Sequence, residues 1–499
     1  MKILTKKSLL CCVAVLELLS PKLMASEISS QAPFAFESLE SHQVQLLNKG
    51  SSSFYKRIEL IRAAKKSIVM EYFIFNHDLV GKIMANELIK KAKEGVKVQL
   101  LVDNFMVGDQ LTPHHSAELL RRGIEIKYYS PLPLINAVKT QYRNHRKLFM
   151  IDDEQYIVGG RNIGDDYFDL SERYNFVDRD AVFKGPSSKL IRKSFDEFFS
   201  AKHSVVKIRP KMPSLNQLIF LRSGESQKAR LIQEVRSKRR RWKEAKHLGR
   251  EFLKFDREEN EKVSKLLEIG KKSLRSEFQG SCRHIEFASD RPLIGPSNDE
   301  KRITRHAVNK FLTNAKTKIN IDSPYFILNN ELIDIIEGKL DEGLNITLLT
   351  NGMYSSDALP VAAVFNHYLE GWIQKGLKPS VYSGKKLLSE ENYVSSEVAN
   401  SRWGTHSKTM SIDDHLSVIG SYNFDPRSAT FSMELVVACH DNVPLAKAIE
   451  NNIKLRTKNS INFETVEDAK EHEFHNITIL KQMGYHVIKP LSLLLQDLL

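Results

Sequence analysis

The sequence predicts an α/β protein made of two related domains. The chain has 499 residues, which is too many for one hydrophobic core, so two domains of about 200 residues each are expected. Strand–helix–strand patterns with short links occur in both halves of the chain. A motif that contains histidine, lysine, aspartate and asparagine also occurs once in each half with identical spacing. The duplication predicts two lobes related by pseudo-two-fold symmetry.

The first half opens with a helix pattern at residues 54–65. A strand at 67–75, a helix at 79–94 and a strand at 96–102 follow. Apolar residues recur at helical spacing in the helices and run almost continuously through the strands. Gly95 separates the second helix from the second strand. This stretch is therefore a βαβ unit.

The second half repeats this order. It has a strand at 318–328, a helix at 331–341 and a strand at 344–350. The tripeptide Tyr-Phe-Ile at 325–327 matches the same tripeptide at 72–74. The spacing between the copies is too long for a solenoid array. The duplication therefore covers whole domains.

The pattern divides the chain into five regions. They are a signal peptide or N-terminal anchor (1–25), a loose lead-in (26–50), a first domain (51–215), a charged helical insert or linker (216–295) and a second domain with an apolar C-terminal tail (296–499). The charged residues 226–275 form either a solvated face or a contact for anionic headgroups. The tail at 490–499 either packs on the domain or enters a membrane interface.

The first residues have the layout of a secretory signal peptide. Lys2, Lys6 and Lys7 precede a mostly apolar run at 8–20, and Ala25 offers a cleavage point. An uncleaved anchor is the alternative, although the run is short for a membrane-spanning helix. We expect an exported protein, periplasmic or secreted, that associates peripherally with a membrane.

Charge and cysteine content narrow the partners only in part. The net charge of +13 suits an anionic partner such as phospholipid, nucleic acid or another phosphate ester. Beyond the leader, Cys282 and Cys439 remain. They are not spaced as metal ligands and are too few for a disulfide framework. They form either a single bridge after export or two buried thiols.

The duplicated motif carries the chemistry. It reads His-x-Lys, four residues, Asp, six residues, Gly, two residues and Asn, and its copies lie at 144–162 and 405–423. The copies supply one residue of each type: His145, Lys147, Asp152 and Asn162 in the first, and His406, Lys408, Asp413 and Asn423 in the second. Residues two apart on a strand share a face, so each His lies beside its Lys. Each Asp is included in the catalytic set, but it is expected to fix a hairpin turn and the lysine rather than to transfer protons.

A pseudo-two-fold axis would bring both copies into one cleft. Two imidazoles, two ammonium groups and two amides would then surround one point, which suits a phosphate diester. Asn162 and Asn423 are expected to bind the phosphate. One imidazole can attack phosphorus while the other protonates the leaving oxygen. No metal-ligand cluster or cofactor motif is evident, so a reaction without metal or cofactor is predicted.

A nucleophilic histidine needs an acceptor for its second ring nitrogen. Glu434 follows His406 in a strand-like segment, and Asp180 follows His145 in a similar one. Glu434-Leu-Val matches Asp180-Ala-Val, so Asp180 and Glu434 are the predicted orienting carboxylates. Asp178 competes with Asp180 in the first half.

The two HxKxxxxDxxxxxxGxxN motifs resemble those of the phospholipase D superfamily. The segments GGRNIGDDYF, GSYNFDPRS, LLTNGMYSSD and LLLQDLL are most similar to bacterial cardiolipin synthases of the C type. This resemblance implies two phospholipase D-like α/β/α sandwich domains with the active site at their interface. It also implies a phosphatidyl-histidine intermediate, with His145 as nucleophile and His406 as general acid. Gly160 departs from the family, where serine is usual.

The expected function is a metal-independent phospholipid phosphodiesterase or phosphatidyltransferase. The residues alone do not separate a cardiolipin synthase-like transferase from a phospholipase D hydrolase. The expected partners are a phospholipid substrate and a membrane surface, whereas nucleic acid is disfavoured and the oligomeric state is open. The first alternative is a nuclease of the same superfamily. The second is a catalytically inactive membrane-binding protein, against which the completeness of both motifs argues.

Overall fold

The computed structural model describes residues 34–130, 141–209, 211–214, 225–293, 302–386, 393–472 and 477–499. The signal peptide or anchor expected at 1–25 lies outside the described residues. Among the helices that the structure describes, none is both long and apolar enough to cross a membrane.

Strands form the centre of both lobes. In chain order they are β1 (Ala35–Ser38), β2 (His42–Leu47), β3 (Ser67–Tyr72), β4 (Lys97–Asp103), β5 (Ile124–Tyr129), β6 (Leu148–Ile151), β7 (Gln155–Gly159), β8 (Tyr174–Val177), β9 (Asp180–Lys184), β10 (Ser204–Val205), β11 (Gln279–Cys282), β12 (His284–Ser289), β13 (Lys318–Asp322), β14 (Asn345–Asn351), β15 (Lys378–Tyr382), β16 (Arg402–Thr405), β17 (Thr409–Ile412), β18 (Leu416–Gly420), β19 (Leu435–His440) and β20 (Ser460–Asn462).

Helices connect and cover these strands. They are α1 (Gly50–Ala63), α2 (Leu79–Lys93), α3 (Asn104–Val107), α4 (Pro113–Arg121), α5 (Ser188–Ser200), α6 (Glu225–Glu251), α7 (Arg257–Leu274), α8 (Ile303–Thr313), α9 (Asn330–Asp341), α10 (Leu359–Gln374), α11 (Ser396–Ala399), α12 (Pro426–Thr430), α13 (Val443–Thr457), α14 (Val466–His472) and α15 (Ile479–Leu494). Short 3₁₀ turns occur at Asp165–Tyr167 and Gln496–Leu498.

The two lobes have the same sheet topology. Within the described residues, each lobe contains a nine-stranded sheet, ordered β10-β5-β4-β3-β6-β7-β9-β2-β11 in the first and β20-β15-β14-β13-β17-β18-β19-β12-β1 in the second. In each sheet three neighbouring strands run parallel, namely β3, β4 and β5 or β13, β14 and β15. The orders correspond strand for strand, which confirms the predicted duplication of α/β domains.

Local signals explain where the βαβ helices begin and end. The carboxylate of Asp78 accepts a hydrogen bond from the Gly81 N–H and caps α2. Asn329 caps α9 in the same way through the Leu332 N–H. After each helix the chain turns through Gly95 or Gly343 with a positive φ, a conformation that glycine adopts without strain.

The lobes exchange edge strands. β1 pairs with β12 at the edge of the second sheet, whereas β2 lies in the first sheet. β11 then completes the first sheet by pairing with β2. The prediction of a loose lead-in at 26–50 is wrong over 35–47, because these residues form β1 and β2, which pair with strands far along the chain. Residues 279–289, predicted as insert, likewise form β11 and β12, whereas α6 and α7 make the helical part.

A disulfide joins the two sheets. Cys282 at the end of β11 is bonded to Cys439 in β19, with a Cα–Cα distance of 6.0 Å. β11 belongs to the first sheet and β19 to the second. Of the two states that the sequence left open, the structure therefore has the bridge. It crosses the boundary between the lobes.

Candidate active site

Each histidine motif is attached to the opposite lobe through its backbone. The N–H of His145 donates to the carbonyl of Met433 at 3.0 Å, and the N–H of His406 donates to the carbonyl of Val177 at 2.8 Å. Next to His406, β16 pairs in parallel with β8 of the first lobe. The two motifs therefore meet at the interface of the lobes, as the family resemblance implies.

The histidines lie just before the hairpin strands. His145 and Lys147 precede β6, and His406 and Lys408 precede β17. Both imidazoles are largely buried, with relative exposures of 9% and 5%. The ring of Phe73 meets that of His145 edge-on at 4.8 Å, and Tyr167 meets His406 edge-on at 5.3 Å. These aromatic contacts restrict the orientation of each imidazole.

A carboxylate from the opposite lobe binds each imidazole. Nδ1 of His145 lies 2.8 Å from Oε1 of Glu434, and Nδ1 of His406 lies 2.7 Å from Oδ2 of Asp178. Both carboxylates are fully buried. An Nδ1–H held in this way presents Nε2 as the second ring nitrogen for chemistry.

The prediction of Asp180 as an orienting carboxylate is wrong. Asp180 instead binds Arg57 at 2.9 Å and the hydroxyl of Ser53 at 2.7 Å. Glu434 does contact an imidazole, but its partner is His145 rather than the histidine of its own lobe. The strand registers explain the error.

In the first sheet Gly159 lies opposite Asp180, and in the second its counterpart Gly420 lies opposite Val436. Asp180 therefore corresponds to Val436, and Asp178 corresponds to Glu434. The sequence match of Asp180-Ala-Val with Glu434-Leu-Val is displaced by two residues. A displacement of two preserves the side-chain alternation of a strand, so the pattern alone did not reveal it.

Glu434 has more partners than Asp178. The Ser421 hydroxyl donates to Oε2 of Glu434 at 2.5 Å, and the Ser428 hydroxyl donates to Oε1 at 2.9 Å. At the position equivalent to Ser421 the first lobe has Gly160. A Cβ at Gly160 would lie 2.3 Å from Oδ1 of Asp178 and 2.7 Å from the His406 carbonyl. Glycine is therefore required where the family usually has serine.

The lysines are buried beside the histidines. Lys147 Nζ donates to the His145 carbonyl at 2.7 Å, and Lys408 Nζ donates to the His406 carbonyl at 2.6 Å. Burial lowers the pKa of Lys408 to about 8, against the attraction of Asp178 and Glu434. Burial likewise lowers the pKa of Lys147 well below its ordinary value. Two buried ammonium groups that repel each other are stabilised by an anion nearby.

The titration of the imidazoles follows from the same environment. Burial, followed by the charges of Lys147 and Lys408, lowers the pKa of His145 well below its ordinary value. Burial and Lys408 lower the pKa of His406 to about 4, although Asp178 opposes the shift. Both imidazoles are therefore neutral at pH 7 in the free protein, and a neutral imidazole is the nucleophilic form.

The pKa values of the two carboxylates are shifted in opposite directions. Burial raises the pKa of Glu434 to about 7, against the nearby charge of Lys147 and the hydrogen bonds from two serines. Burial also disfavours the charged form of Asp178, but its hydrogen bond and charge interaction with His406 prevail and lower its pKa. The site is thus pseudosymmetric in geometry and asymmetric in protonation.

The two asparagines lie at the cleft between the histidines. Asn162 Oδ1 accepts a hydrogen bond from the Ile74 N–H at 3.2 Å, which leaves its amide N–H groups as donors. Asn423 Oδ1 is buried and has no hydrogen-bond partner among the described residues. The cleft measures about 310 Å³. Its lining includes both histidines and both asparagines, together with Phe73, Phe105, Met106, Tyr167, Tyr325, Asp357, Arg427, Ser428, Leu498 and Leu499.

Asp152 and Asp413 have a structural role. The Asp152 carboxylate accepts hydrogen bonds from three successive backbone N–H groups at residues 65–67, and Asp413 does the same at residues 316–318. Each ties the turn of its hairpin to the start of the neighbouring strand. The prediction that they fix the turn agrees with this geometry. Their inclusion in the catalytic set disagrees with the structure, because neither carboxylate is among the described residues that line the cleft. The expected contact with the motif lysine is not found either, since each carboxylate binds backbone N–H groups instead.

Several cleft residues were missed by reasoning from the motif. Arg427 and Ser428 follow Asn423 on the short helix α12, and Tyr325 follows β13. Tyr325 donates a hydrogen bond to Asp357 at 2.9 Å. The position of Tyr325 after a βαβ strand was a usable signal, because ligands bind near the carboxyl ends of parallel strands. Asp357 lies in a connection with no comparable pattern.

A duplicated α/β chain that brings one histidine from each lobe into a shared cleft, with a lysine buried beside each histidine, defines the bilobal phospholipase D class of fold. The chain belongs to the family described as "Cardiolipin synthase, PLD-like domain", whose profile matches residues 57–199 and 308–456. The matched segments contain all the residues of both motifs, and the resemblance inferred from the motifs is confirmed.

Individual relatives agree with this assignment. The chain is 25% identical over 409 residues to cardiolipin synthase C of Escherichia coli K12, covering 78% of this chain and 79% of that protein. It is 28% identical over 426 residues to an uncharacterized protein of Helicobacter pylori J99, covering 82% and 78%. The crystal structure of phosphatidylserine synthase from Haemophilus influenzae superimposes with a TM-score of 0.62 at 15% identity, covering 95% of this chain and 99% of that one. The last comparison concerns the fold alone.

Proposed function

We propose that this protein transfers phosphatidyl groups between alcohols through a covalent histidine intermediate. The observation that carries the proposal is the pair of imidazoles in one cleft, each held at Nδ1 by a buried carboxylate of the opposite lobe. The family and the cardiolipin synthase relative support phospholipid as the substrate class.

In the first step, Nε2 of His145 attacks phosphorus and the bond from phosphorus to the leaving alcohol oxygen breaks. His406 donates a proton to that oxygen. Because His406 is neutral in the free protein, it must gain this proton when the anionic diester binds, and negative charge beside an imidazole raises its pKa. Lys147 and Lys408 supply positive charge for the phosphoryl oxygens as negative charge develops.

In the second step, an acceptor hydroxyl loses its proton to His406 while its oxygen attacks phosphorus. The bond between phosphorus and Nε2 of His145 then breaks, and the free imidazole returns. A phospholipid hydroxyl as acceptor gives a phospholipid with two phosphatidyl groups, whereas water gives phosphatidic acid. The assignment of His145 as the nucleophile rests on the resemblance to the superfamily.

Product analysis tests this proposal. The full chain would be incubated with phosphatidylglycerol vesicles, and lipids would be identified by mass spectrometry, with His145→Ala as the inactive control. Cardiolipin with release of glycerol supports the transferase. Phosphatidic acid as the only lipid product would show that the protein is a hydrolase rather than a transferase. Cleavage of DNA without any lipid product would contradict the assignment of lipid as the substrate.

Trapping tests the intermediate and the roles of the histidines. In His406→Ala the first step loses its acid and the second step loses its base. With a phosphatidyl substrate whose leaving group is acidic, such as p-nitrophenol, the first step needs no acid. A phosphatidyl adduct should then accumulate on His145 and be found by peptide mass spectrometry. An adduct on His406 in His145→Ala, with none on His145 in His406→Ala, would exchange the two roles.

We also propose a metal-independent reaction. Within the described residues no cluster of three metal-ligating side chains occurs, and turnover should be unchanged by EDTA. Loss of turnover in EDTA that added Mg²⁺ or Ca²⁺ restores would refute this.

We propose that the protein works after export, at the surface of a membrane. The bridge between Cys282 and Cys439 supports this, because disulfides persist in oxidising compartments. The basic and apolar segment at residues 1–25 provides an export signal. Thiol alkylation of cell fractions gives the test: both cysteines should resist alkylation in the exported fraction, and a reduced protein that remains in the cytoplasm would contradict the proposal.

A further inference from the structure

The C-terminal helix α15 has two opposite faces. Tyr485 and Ser492 are buried, at 0% and 4% exposure, and Tyr485 packs with Met353 and the alanines of α10. The side chain of Lys481 donates to the Met353 carbonyl. One face of α15 is therefore attached to the second lobe, which fixes the direction of the other.

The outer face carries large apolar side chains. They recur at spacings of three and four residues, which places them on one side of a helix. They are Leu480, Met483, Val487, Leu491 and Leu494, with relative exposures of 82%, 62%, 78%, 57% and 80%. Ile479 at the start of the helix is 75% exposed. Single exposed apolar residues are ordinary on a protein surface, but a continuous stripe along a whole helix needs a partner.

This stripe leads to the mouth of the active-site cleft. After α15 the chain continues into the 3₁₀ turn at Gln496–Leu498, and Leu498 and Leu499 line the cleft. Leu499 packs in a small apolar cluster with Ile327 and Val361. On the first lobe the exposed ring of Phe105, at 56% exposure, lines the same cleft. The apolar surface of α15 therefore leads through Leu498 and Leu499 to the lining of the cleft.

The charge of the whole chain is suited to an anionic surface, since its net charge is +13. Residues 477–499 contain Lys481 and Lys489, and their single acidic residue is Asp497, beyond the helix. Both lysines turn toward the lobe, Lys481 to the Met353 carbonyl and Lys489 to the ring of the buried Tyr485 at 5.3 Å, so the outer face of α15 carries no charged side chain. An amphipathic helix with one uninterrupted apolar face binds in the interface of a bilayer, and a chain with net positive charge favours an anionic one.

We infer that the outer face of α15 docks on the surface of an anionic phospholipid bilayer and holds the cleft at the level where lipids leave the membrane. The inference rests on the proposed function, since a cleft for a two-chain lipid needs a route from the bilayer. It goes beyond that function by naming the membrane-binding element. Docking by α15 places Leu498, Leu499 and Phe105 at the lipid surface, where acyl chains can follow them into the cleft.

Two charge substitutions on the stripe test the inference. Met483→Glu combined with Val487→Glu should weaken binding of the full chain to vesicles of phosphatidylglycerol and phosphatidylcholine by about tenfold or more, measured by flotation. The matched control is Leu39→Glu combined with Leu248→Glu, because these residues are 75% and 56% exposed on other elements and the charge change is the same. The control should bind like the wild type. Equal binding by the stripe variant and the control would overturn the inference.

A second variant tests docking by a fluorescence signal that is gained when vesicles bind. Val487→Trp should show a blue shift of tryptophan emission on adding these vesicles, and brominated lipids should quench the added signal. Absence of both changes relative to the wild type would contradict docking. A second copy of the chain is the competing occupant: a wild-type dimer in sedimentation velocity that Met483→Glu with Val487→Glu converts to a monomer would assign the face to dimerisation.

Soluble substrate separates docking from the proposed function. The stripe variant should turn over short-chain phosphatidylglycerol, dissolved as monomers, at the wild-type rate, while its turnover of vesicle lipid falls with binding. If the wild type turns over neither lipid but its vesicle binding still depends on the stripe, the substrate assignment fails and the docking surface stands. If the stripe variant loses soluble turnover to the same extent as vesicle turnover, α15 supports the cleft structurally and the inference fails.

Discussion

Ser421 donates a 2.5 Å hydrogen bond to Glu434, the carboxylate that binds Nδ1 of His145 across the lobe interface. The equivalent position in the first lobe, Gly160, has no side chain to make this bond with Asp178. One histidine thus has a carboxylate held by two hydroxyls, and the other has a carboxylate held by the Arg179 N–H and, within the described structure, by no hydroxyl. The duplicated site has become chemically unequal at this point.

Replacing Glu434 tests its role as the orienting carboxylate. Glu434→Gln should lower kcat by on the order of 10²–10⁴-fold, because a neutral amide no longer stabilises the charge or the tautomer of His145. With a pKa of about 7, Glu434 is ionised above that pH, so wild-type turnover should fall as pH decreases through 7. The acidic limb should disappear in Glu434→Gln. A pH profile of kcat that keeps this limb in the variant would assign it to another group.

Gly160 gives a prediction against family usage. Gly160→Ser introduces the residue that relatives usually have, but its Cβ would collide with Asp178 and with the His406 carbonyl. We expect a loss of turnover on the order of 10²-fold from the displaced histidine. The reciprocal change Ser421→Gly removes the hydroxyl that donates to Glu434 and accepts from the Leu435 N–H, and it should lower turnover by about tenfold. Steady-state kinetics would compare kcat of both variants with that of the wild type. Wild-type turnover by Gly160→Ser would show that the lobes can separate to admit a side chain.

Asp152 should affect stability more than chemistry. Asp152→Ala leaves backbone N–H groups at the start of β3 without an acceptor and should lower the free energy of unfolding by about 1–3 kcal/mol. These hydrogen bonds also lower the pKa of the Asp152 carboxyl, so its stabilisation is present above the unfolded pKa and is lost as pH falls through the folded one. Urea unfolding measures the change. Glu154→Ala in the same turn, an exposed residue, should have no effect.

The bridge between the lobes should contribute to stability through the unfolded state. Cys282→Ser with Cys439→Ser should lower the free energy of unfolding by about 2–5 kcal/mol, as expected for a bond that closes a long loop. Dithiothreitol should lower the melting temperature of the wild type and leave that of the double variant unchanged. A wild-type melting temperature that does not respond to dithiothreitol would contradict a stabilising bridge.

Residues with local or repeated signals were predictable from the sequence. The spacing of the motif identified His145 and His406, because the duplication itself implied a shared cleft. The same argument failed for Asp180, since residues 178 and 180 both fit a carboxylate on one strand face and only the ladder register distinguishes them. The sequence also could not show which lobe's histidine each carboxylate binds, because that depends on how the lobes dock.

Non-local pairing explains the remaining differences. Nothing within residues 35–38 indicates that they pair with β12 of the distant lobe, so the segment was interpreted as a lead-in. The bridge between Cys282 and Cys439 was left open for the same reason: their separation of 157 residues carries no information on distance in space. Contacts that depend on tertiary structure were missed, whereas patterns set by local periodicity were found.

The exchange of edge strands has a consequence for synthesis of the chain. β1 emerges from the ribosome early, but its partner strand β12 follows only after the whole first lobe and the helical segment have been made. The first sheet in turn lacks its last strand until Cys282 has been made. Neither sheet is complete before residues 279–289 have been made, and until then unpaired strand edges are open to aggregation.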